Sequence, residues 1–293
     1  MIYEIRHVTT YEYEAPVVAA RCVMRLTPLA GPDQEVIASE VRIEPSASVT
    51  RHVGFFGATT HVAAIDVPHE ELRIEARSRV RIARPRPDTD AEGAPFERVR
   101  EAAFASRARG PDAPGHVLFP SELVPIVPEV TAYAAASFPA GRGVLAGARD
   151  LMARINADFA YAPGETHVAT PMREAFAARR GVCQDFAHVM IAGLRGLGLP
   201  ARYVSGYLRT IPPPGKPRLV GADATHAWVE LWCGEEQGHV GLDPTNACLI
   251  GTDHIALAVG RDYADVAPVD GVIHASGGQS LAVAVDVEPV GEG

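Results

Sequence analysis

A cysteine, a histidine and an aspartate, in that order along the chain, could together carry out nucleophilic catalysis. Cys183 follows a glycine at Gly181 and precedes an apolar run, 186–199, that predicts a buried helix. At the start of a helix, unpaired backbone N–H groups and the helix dipole favour the thiolate, which is the reactive form of a thiol. His226 lies in one predicted strand, and Asp243 ends another at a turn. These residues are therefore predicted to be a nucleophile, a general base and a carboxylate that orients the base.

The chemistry expected of these residues is acyl transfer. The Cys183 thiolate would attack a carbonyl carbon to form a thioester, and His226 would protonate the leaving amine. The backbone N–H of Cys183 is the predicted first oxyanion donor, a contact that can lower a barrier by about 3–4 kcal/mol. Four further side chains are candidates for a second oxyanion donor or a substrate contact: Gln184, Tyr161, Thr170 and Trp228.

A metal centre is a competing interpretation of the same residue types. Ligands could be drawn from Cys183, His188, His226, His239, Asp243 and His254. The chain has no CxxC pair and no HExxH motif, and structural zinc sites usually use such local pairs. No phosphate-binding glycine loop or dinucleotide fingerprint is present either. The sequence therefore predicts no metal and no cofactor, and it predicts structural roles for Cys22, Cys233, Cys248 and His188.

Composition limits the partners. The 293 residues are 47% hydrophobic and 22% charged, with a formal net charge of −9, which does not favour nucleic acid or an anionic membrane as the main partner. No apolar run approaches the roughly 20 residues needed to span a bilayer. Residues 1–6 lack the features of a secretory signal, and four scattered cysteines do not suggest a disulfide framework. We expect a cytoplasmic protein that acts on a peptide or protein amide; the sequence leaves its oligomeric state open.

The elements around these residues predict an α+β protein with two parts. Residues 1–82 are predicted to form a small β-sandwich domain, because Leu72–Ile82 alternates apolar residues with a row of mostly arginine. That row is expected to be a solvated face, and a docking patch for an acidic partner is the alternative. Residues 83–96 are predicted to be a linker, and residues 97–293 a catalytic domain.

Within the catalytic part, the patterns predict helices and strands in mixed order. Helices are predicted over 144–159 and 171–180, in addition to the helix that follows Cys183. Strands are predicted over 201–208, 226–233, 239–243 and, near the C-terminus, 281–287. A proline-rich stretch, 212–217, is expected to be an exposed loop.

Several motifs resemble the transglutaminase-like superfamily, in particular a bacterial branch whose members are often labelled candidate cysteine proteases. The motifs are GVCQDFAH at 181–188, PARYVSGY at 200–207, THAWVEL at 225–231, LDPTN at 242–246 and GRDYADVAPVDGV at 260–272. Two front segments, HVTTYEYEAPV at 7–17 and PHEELRIEARSRV at 68–80, resemble the β domain that precedes the catalytic core in this branch. The resemblance thus spans nearly the whole chain.

The resemblance implies a papain-like core, in which the nucleophile helix packs on an antiparallel sheet that carries the base and the acid. It also implies that Cys183, His226 and Asp243 form the family's triad. Animal relatives use a tryptophan upstream of the nucleophile at the oxyanion site, whereas both tryptophans here, Trp228 and Trp232, lie downstream. A cysteine peptidase or amidase is the expected function. The alternatives are a protein-glutamine amine transferase, an arylamine acetyltransferase and a non-catalytic binding protein.

Overall fold

The computed structural model describes residues 1–210, 224–274 and 276–291 of the chain. The predicted proline-rich loop at 212–217 lies outside the described residues. Among the described residues, the structure has six α-helices and fifteen strands in mixed order. The strands are β1 (Ile2–Val17), β2 (Ala19–Met24), β3 (Gln34–Glu44), β4 (Ser48–Val53), β5 (Thr59–Ile65), β6 (His69–Ile82), β7 (Ala160–Tyr161), β8 (Arg180–Gly181), β9 (Ala201–Leu208), β10 (Ala224–Trp232), β11 (His239–Asp243), β12 (Cys248–Leu249), β13 (His254–Gly260), β14 (Val269–His274) and β15 (Gln279–Val290). The helices are α1 (Phe96–Ala105), α2 (Pro128–Ala135), α3 (Val144–Asp158), α4 (Met172–Ala178), α5 (Cys183–Gly196) and α6 (Tyr263–Val266).

The front of the chain, together with two C-terminal strands, forms two four-stranded antiparallel sheets, which confirms the predicted β-rich region. One sheet has the order β15-β1-β6-β3 and the other has the order β14-β2-β5-β4. Their shared apolar cluster takes residues from both sheets, including Met24 and Ile65 from one and Leu72 and Ile74 from the other. The two sheets therefore bury their inner faces against each other, as in a sandwich.

The strand pairing departs from the predicted division of the chain at one point. β14 pairs with β2 and β15 pairs with β1, both antiparallel, so residues 269–290 complete the two front sheets. The sequence prediction had assigned this segment to the catalytic part, because alternation identifies a strand but not its partner. The two ends of the described chain thus lie side by side.

The exposed face of β6 carries the predicted arginine row. Arg77 has 61% of its side chain exposed, and Arg73, Arg77 and Arg6 all form ion pairs with Glu75. Glu75 itself is buried, with 8% exposed. The row is therefore linked by internal ion pairs, and most of its arginines remain solvated.

The second part is built on a five-stranded antiparallel sheet with the order β12-β11-β10-β9-β13. Helix α5 packs against this sheet, and its residues 184–195 are all buried. One apolar cluster joins α5 to the sheet and to α2 and α3, with Phe186, Ile191 and Leu194 from the helix and Val229 and Leu242 from the strands. The predicted strands at 201–208 and 239–243 are confirmed to the residue, and α3 and α4 lie within the predicted helical ranges.

The sandwich and the second sheet share a buried junction. Tyr3, Val80 and Val287 from the sandwich pack against Tyr207 of β9 and Leu257 of β13 in one apolar cluster. Polar contacts cross the junction as well. The hydroxyl group of Tyr207 lies 3.0 Å from Nδ1 of His7, whose Nε2 lies 2.8 Å from the Thr9 hydroxyl. The sandwich therefore packs against β9 and β13 of the five-stranded sheet and supports it.

Gln34 links the two parts through the backbone of Ala256. Its side-chain amide donates to the carbonyl groups of Leu29 at 2.6 Å and Ala256 at 2.8 Å, and it accepts the N–H of Ala256 at 2.9 Å. The pairing of β13 with β9 shifts register just after Ala256, so this side chain contacts the backbone at an irregularity in the strand. Gln34 has only 3% of its surface exposed, so water cannot readily replace it.

We therefore expect Gln34→Leu to lower the free energy of unfolding by about 1–3 kcal/mol, because it leaves the buried N–H of Ala256 without its acceptor, whereas the C=O of Ala256 keeps the N–H of Leu29. Denaturant unfolding measures this loss. The matched control is the neighbouring Glu35→Gln, whose side chain is 61% exposed and pairs with an exposed arginine. That exposed pair should contribute less than about 1 kcal/mol. Equal stabilities for the two variants would contradict the role of Gln34.

Candidate active site

Helix α5 begins at Cys183, and a carboxylate caps its first turn. Asp185 accepts the backbone N–H of Val182 at 2.8 Å and the hydroxyl group of Thr166 at 2.7 Å. Gly181 packs directly against this carboxylate, and a Cβ atom at that position would collide with it. By helix geometry, the N–H groups of the first turn have no partner within the helix. The half-buried Cys183 side chain therefore lies beside backbone donors that can bind a developing anion.

His226 and Asp243 are brought together by neighbouring strands of the sheet. β10 carries His226 and pairs antiparallel with β11, which ends at Asp243. Nε2 of His226 lies 2.7 Å from Oδ2 of Asp243. His226 has 8% of its surface exposed and Asp243 has none. Because Nε2 faces Asp243, Nδ1 is the ring nitrogen that remains available to the Cys183 thiol.

The turn after β11 encloses the Asp243 carboxylate with donors. Oδ1 accepts the backbone N–H groups of Thr245 at 2.9 Å and Asn246 at 3.1 Å. Oδ2 accepts the side-chain amide of Asn246 at 2.7 Å and lies 3.2 Å from Nε2 of His254. Burial alone would raise the pKa of Asp243, but these hydrogen bonds and that to His226 outweigh it and hold the pKa well below its usual range. Asp243 is therefore a buried carboxylate that stays ionised.

Cys183, at the start of α5, is close enough to His226 to shift the pKa of the imidazole. Burial alone would lower the pKa of His226, but hydrogen bonds to Asp243 and to Cys183, with the negative charges of both groups, raise it from 6.5 to about 9. An imidazole that stays protonated at neutral pH beside a thiol is the arrangement of a thiolate–imidazolium pair. The geometry thus brings together the three residues that the sequence singled out, in the order cysteine, histidine, carboxylate.

The other candidate side chains differ in their burial and in their hydrogen bonds. Gln184 is buried and donates its amide to the carbonyl of Val168 at 3.1 Å, and Thr170 accepts the N–H of His167 at 3.0 Å. Both side chains therefore hold the approach loop at 166–170 in place. Tyr161 is 57% exposed and is paired in β7 with Gly181, two residues before the nucleophile. Burial of part of its ring, and then the charge of Cys183, raise the pKa of Tyr161, so its phenol remains a donor.

Trp228 corrects the sequence prediction. It was expected to contact substrate or an oxyanion, but it is fully buried and packs in a cluster with Val204, Ala256 and Val259. Its ring contacts His254 edge-on, with centroids 5.4 Å apart, and lies 6.3 Å from the ring of His226. Residues two positions apart in a strand share a face of the sheet, so Trp228 lies next to His226 along β10 and is buried in the core.

The remaining cysteines and His188 are placed as structural residues. His188 accepts the N–H of Tyr263 at 3.3 Å, and burial lowers its pKa to about 4, which confirms the predicted core hydrogen-bonding role. Burial raises the pKa of Cys22, of Cys233 to about 12 and of Cys248 to about 11. These three thiols are therefore kept protonated.

Within the described ranges, His226, Asp243 and His254 form the one group of side chains whose spacing could hold a metal ion, with ligand atoms within 4.8 Å of one another. Two imidazoles and a carboxylate are ligands that zinc accepts. In this structure the same atoms are engaged in hydrogen bonds at 2.7 and 3.2 Å, which a metal would have to displace. The arrangement fits a hydrogen-bonded triad more simply than a metal centre.

Two residues at the carboxylate were not assigned to it from the sequence. Asn246 appeared only within the LDPTN motif, and His254 only as a possible metal ligand. A signal was available for Asn246, because an asparagine three residues after an aspartate at a turn can reach its carboxylate. His254 lies in a wholly buried strand, where no local pattern indicates a partner.

Comparison with known proteins supports the family. Residues 3–81 match the model for the bacterial transglutaminase-like N-terminal region, and residues 134–244 match that for the transglutaminase-like superfamily. An uncharacterised protein of Mycobacterium tuberculosis is 38% identical over 301 aligned positions, which cover 98% of this chain and 92% of that protein. A Mycobacterium leprae protein, also uncharacterised, is 34% identical over 96% of each chain. A protein-glutamine gamma-glutamyltransferase of Pseudomonas aeruginosa is 44% identical over 71 residues, which are 24% of this chain and 10% of that protein.

The fold has a solved counterpart. The crystal structure of a candidate cysteine protease from Cytophaga hutchinsonii superimposes with a TM-score of 0.74 at 20% identity, covering all of this chain and 92% of that one. Among the described residues, no helix is both long enough and apolar enough to cross a membrane. The sequence relatives, the matched family models and the shared fold agree, and the chain belongs to the transglutaminase-like superfamily, in the bacterial branch that carries the N-terminal β region.

Proposed function

We propose that the protein is a thiol-dependent acyl-transfer enzyme that hydrolyses peptide or other amide bonds through Cys183, His226 and Asp243. The observation that carries this proposal is the position of His226, which lies 2.7 Å from Asp243 and near Cys183, so that both groups raise the pKa of the imidazole to about 9. A histidine that is protonated at neutral pH can keep the thiol ionised and still hold a proton for the leaving group. Membership of the superfamily and the fold shared with a candidate cysteine protease support the reaction class.

The reaction proceeds in two halves. The Cys183 sulfur forms a bond to the amide carbonyl carbon, and the oxygen takes up the negative charge. The C–N bond then breaks, His226 gives its proton to the leaving amine, and a thioester remains. In the second half, water loses a proton to neutral His226 and attacks the thioester carbon. The C–S bond breaks, the acid leaves, and the thiolate–imidazolium pair is restored.

Two donors are proposed for the oxyanion. The first is the backbone N–H of Cys183, at the open end of α5. The second is the phenol of Tyr161, since this candidate is exposed, is paired beside Gly181 and stays protonated next to the thiolate. In this proposal, Gln184 and Thr170 shape the approach loop rather than bind the oxyanion.

Amine transfer is the second candidate function. The similarity of a 71-residue segment to a protein-glutamine gamma-glutamyltransferase favours it, and the first half of the reaction is the same. The two functions differ only in whether water or an amine attacks the thioester. Mass spectrometry of a glutamine-containing peptide-amide library, incubated with the enzyme in the presence and absence of a primary amine, tests both. A shortened or deamidated peptide indicates hydrolysis, and a peptide with the added amine indicates transfer.

The first prediction from this proposal concerns the reactivity of the four cysteines. Limited iodoacetamide at pH 6 should label Cys183 well before Cys22, Cys233 and Cys248, because burial raises the pKa of those three thiols. Peptide mapping by mass spectrometry measures the order of labelling. Unfolding the protein in denaturant should equalise the four rates, which is the control. Slow labelling of Cys183 in the folded protein would contradict the activated thiol.

The second prediction is a graded loss of activity across the triad. Cys183→Ala should abolish turnover, and His226→Ala should be nearly as severe. Asp243→Asn should lose less, on the order of 10–10³-fold, because a thiol ionises more readily than the hydroxyl of a serine protease. Measurements of kcat/KM, with a thermal melt for each variant, test the order. Cys248→Ala is the matched control and should keep activity, and so should the wild-type enzyme in chelator. Turnover by folded Cys183→Ala would end the proposal.

The third prediction concerns pH. The protonated form of His226 is the proton donor, so kcat/KM should hold at neutral pH and fall as the pH rises through about 9. Asp243→Asn removes a charge that raises the pKa of His226, and the alkaline limb should therefore move to lower pH. His274→Gln, an exposed position, is the control and should leave the limb in place. An alkaline limb that Asp243→Asn does not move would contradict the coupling between Asp243 and His226.

A further inference from the structure

We propose that His254 is a positioning residue for Asp243: a neutral imidazole that donates Nε2–H to the carboxylate and holds it in line with His226. This inference rests on the proposed function, because it assigns a role in the same triad. It extends the catalytic group from three side chains to four, with the carboxylate held between two histidines. His254 does not touch the thiol or the substrate in this proposal, and it acts through Asp243.

The first support is the set of distances at Asp243 Oδ2. This oxygen lies 2.7 Å from Nε2 of His226 and 3.2 Å from Nε2 of His254. The same oxygen accepts the side-chain amide of Asn246 at 2.7 Å. Three donors from three separate elements therefore converge on one atom. Oδ1 is held separately by the two backbone N–H groups of Thr245 and Asn246, so His254 and His226 act on the same oxygen, Oδ2.

The second support is the tautomer of His254. Its Nδ1 accepts the backbone N–H of Gly251 at 3.3 Å, so this nitrogen carries no proton of its own. The ring proton must then lie on Nε2, where it points to Asp243. An imidazole with one nitrogen accepting and the other donating is neutral. His254 therefore satisfies the carboxylate without adding a second positive charge that would compete with protonated His226.

The third support is how firmly the ring and its backbone are held. His254 is buried, with 5% exposed, and its ring lies nearly perpendicular to the fully buried Trp228 ring, with centroids 5.4 Å apart. The backbone carbonyl of His254 accepts a hydrogen bond from Arg84 at 3.0 Å, and the same guanidinium donates to the carbonyl of Gly251 at 2.7 Å. Arg84 also pairs with Asp33 of the sandwich. Arg84, in the segment that follows the sandwich, thus holds in place the turn from Gly251 to His254.

The need for such a residue follows from the charge of His226 during the reaction. His226 loses its proton to the leaving amine and regains it from water, so the charge beside Asp243 appears and disappears in each cycle. While that charge is absent, His226 still donates Nε2–H to Oδ2 but the hydrogen bond is weaker, and the other donors to this oxygen, Asn246 and His254, carry more of its orientation. A second imidazole, whose hydrogen bond to Oδ2 does not change during the cycle, helps to keep the acceptor in line with His226 throughout. Loss of this donor should therefore reduce kcat and leave substrate binding, measured by KM, almost unchanged.

Two variants test the role. His254→Phe keeps an aromatic ring against Trp228 and removes the donor, while His254→Gln can return an N–H to the position of Nε2. We expect His254→Phe to lower kcat about 10- to 100-fold with little change in KM, which is the scale of losing an outer hydrogen-bond partner at metal sites. His254→Gln should recover most of that loss. His239→Phe, at the far end of β11, is the matched control and should stay within about twofold of wild type.

A measurement on the wild-type protein keeps the test valid if His254→Phe does not fold. Two-bond ¹H–¹⁵N correlation spectra of ¹⁵N-histidine protein report the tautomer of each imidazole, and the His254→Gln spectrum assigns the signal that disappears. We expect an Nε2–H tautomer for His254 in the folded protein. An Nδ1–H tautomer, a charged ring, or a kcat for folded His254→Phe equal to wild type would overturn the proposal. Turnover by Cys183→Ala would instead refute the triad itself, so the two failures are distinguishable.

Discussion

The site depends on one buried charge, the carboxylate of Asp243. A carboxylate with no exposed surface is expensive to bury unless hydrogen bonds replace its water. Here five donors do so: two backbone N–H groups, the amide of Asn246 and the rings of His226 and His254. These donors come from β10, from the turn after β11 and from β13. Strands that are distant in sequence must therefore be in register before the site exists.

That requirement explains why so much of the chain lies behind the site rather than in it. Gln34 completes the backbone hydrogen bonds at the irregularity in β13, two residues after His254. Tyr207 of β9, which lies between β10 and β13, is held by His7 of the sandwich. The sandwich supplies none of the three triad side chains, and it fixes the strands on which His226 and His254 stand.

Much of this could be predicted from the sequence because it depends on local signals. An apolar run after a glycine predicted the nucleophile helix, and the predicted strands at 201–208 and 239–243 match β9 and β11 to the residue. The pairing of β14 and β15 with the front sheets could not be predicted in this way, because it joins residues more than 200 positions apart. His254 and Trp228 were missed or misplaced for a related reason. Burial gives both residues their roles, and an apolar strand does not show which of its side chains faces a charge.

The position of the last two strands has a consequence for folding during synthesis. β1 and β2 emerge from the ribosome first, yet the strands that cover their outer edges, β15 and β14, emerge after the whole five-stranded sheet. Until then the nascent chain has two open strand edges, which are sites for wrong pairing. The sandwich that supports the five-stranded sheet is completed only after Cys183, His226 and Asp243 have been translated. A nascent chain therefore carries the thiol for some time before it has the finished scaffold.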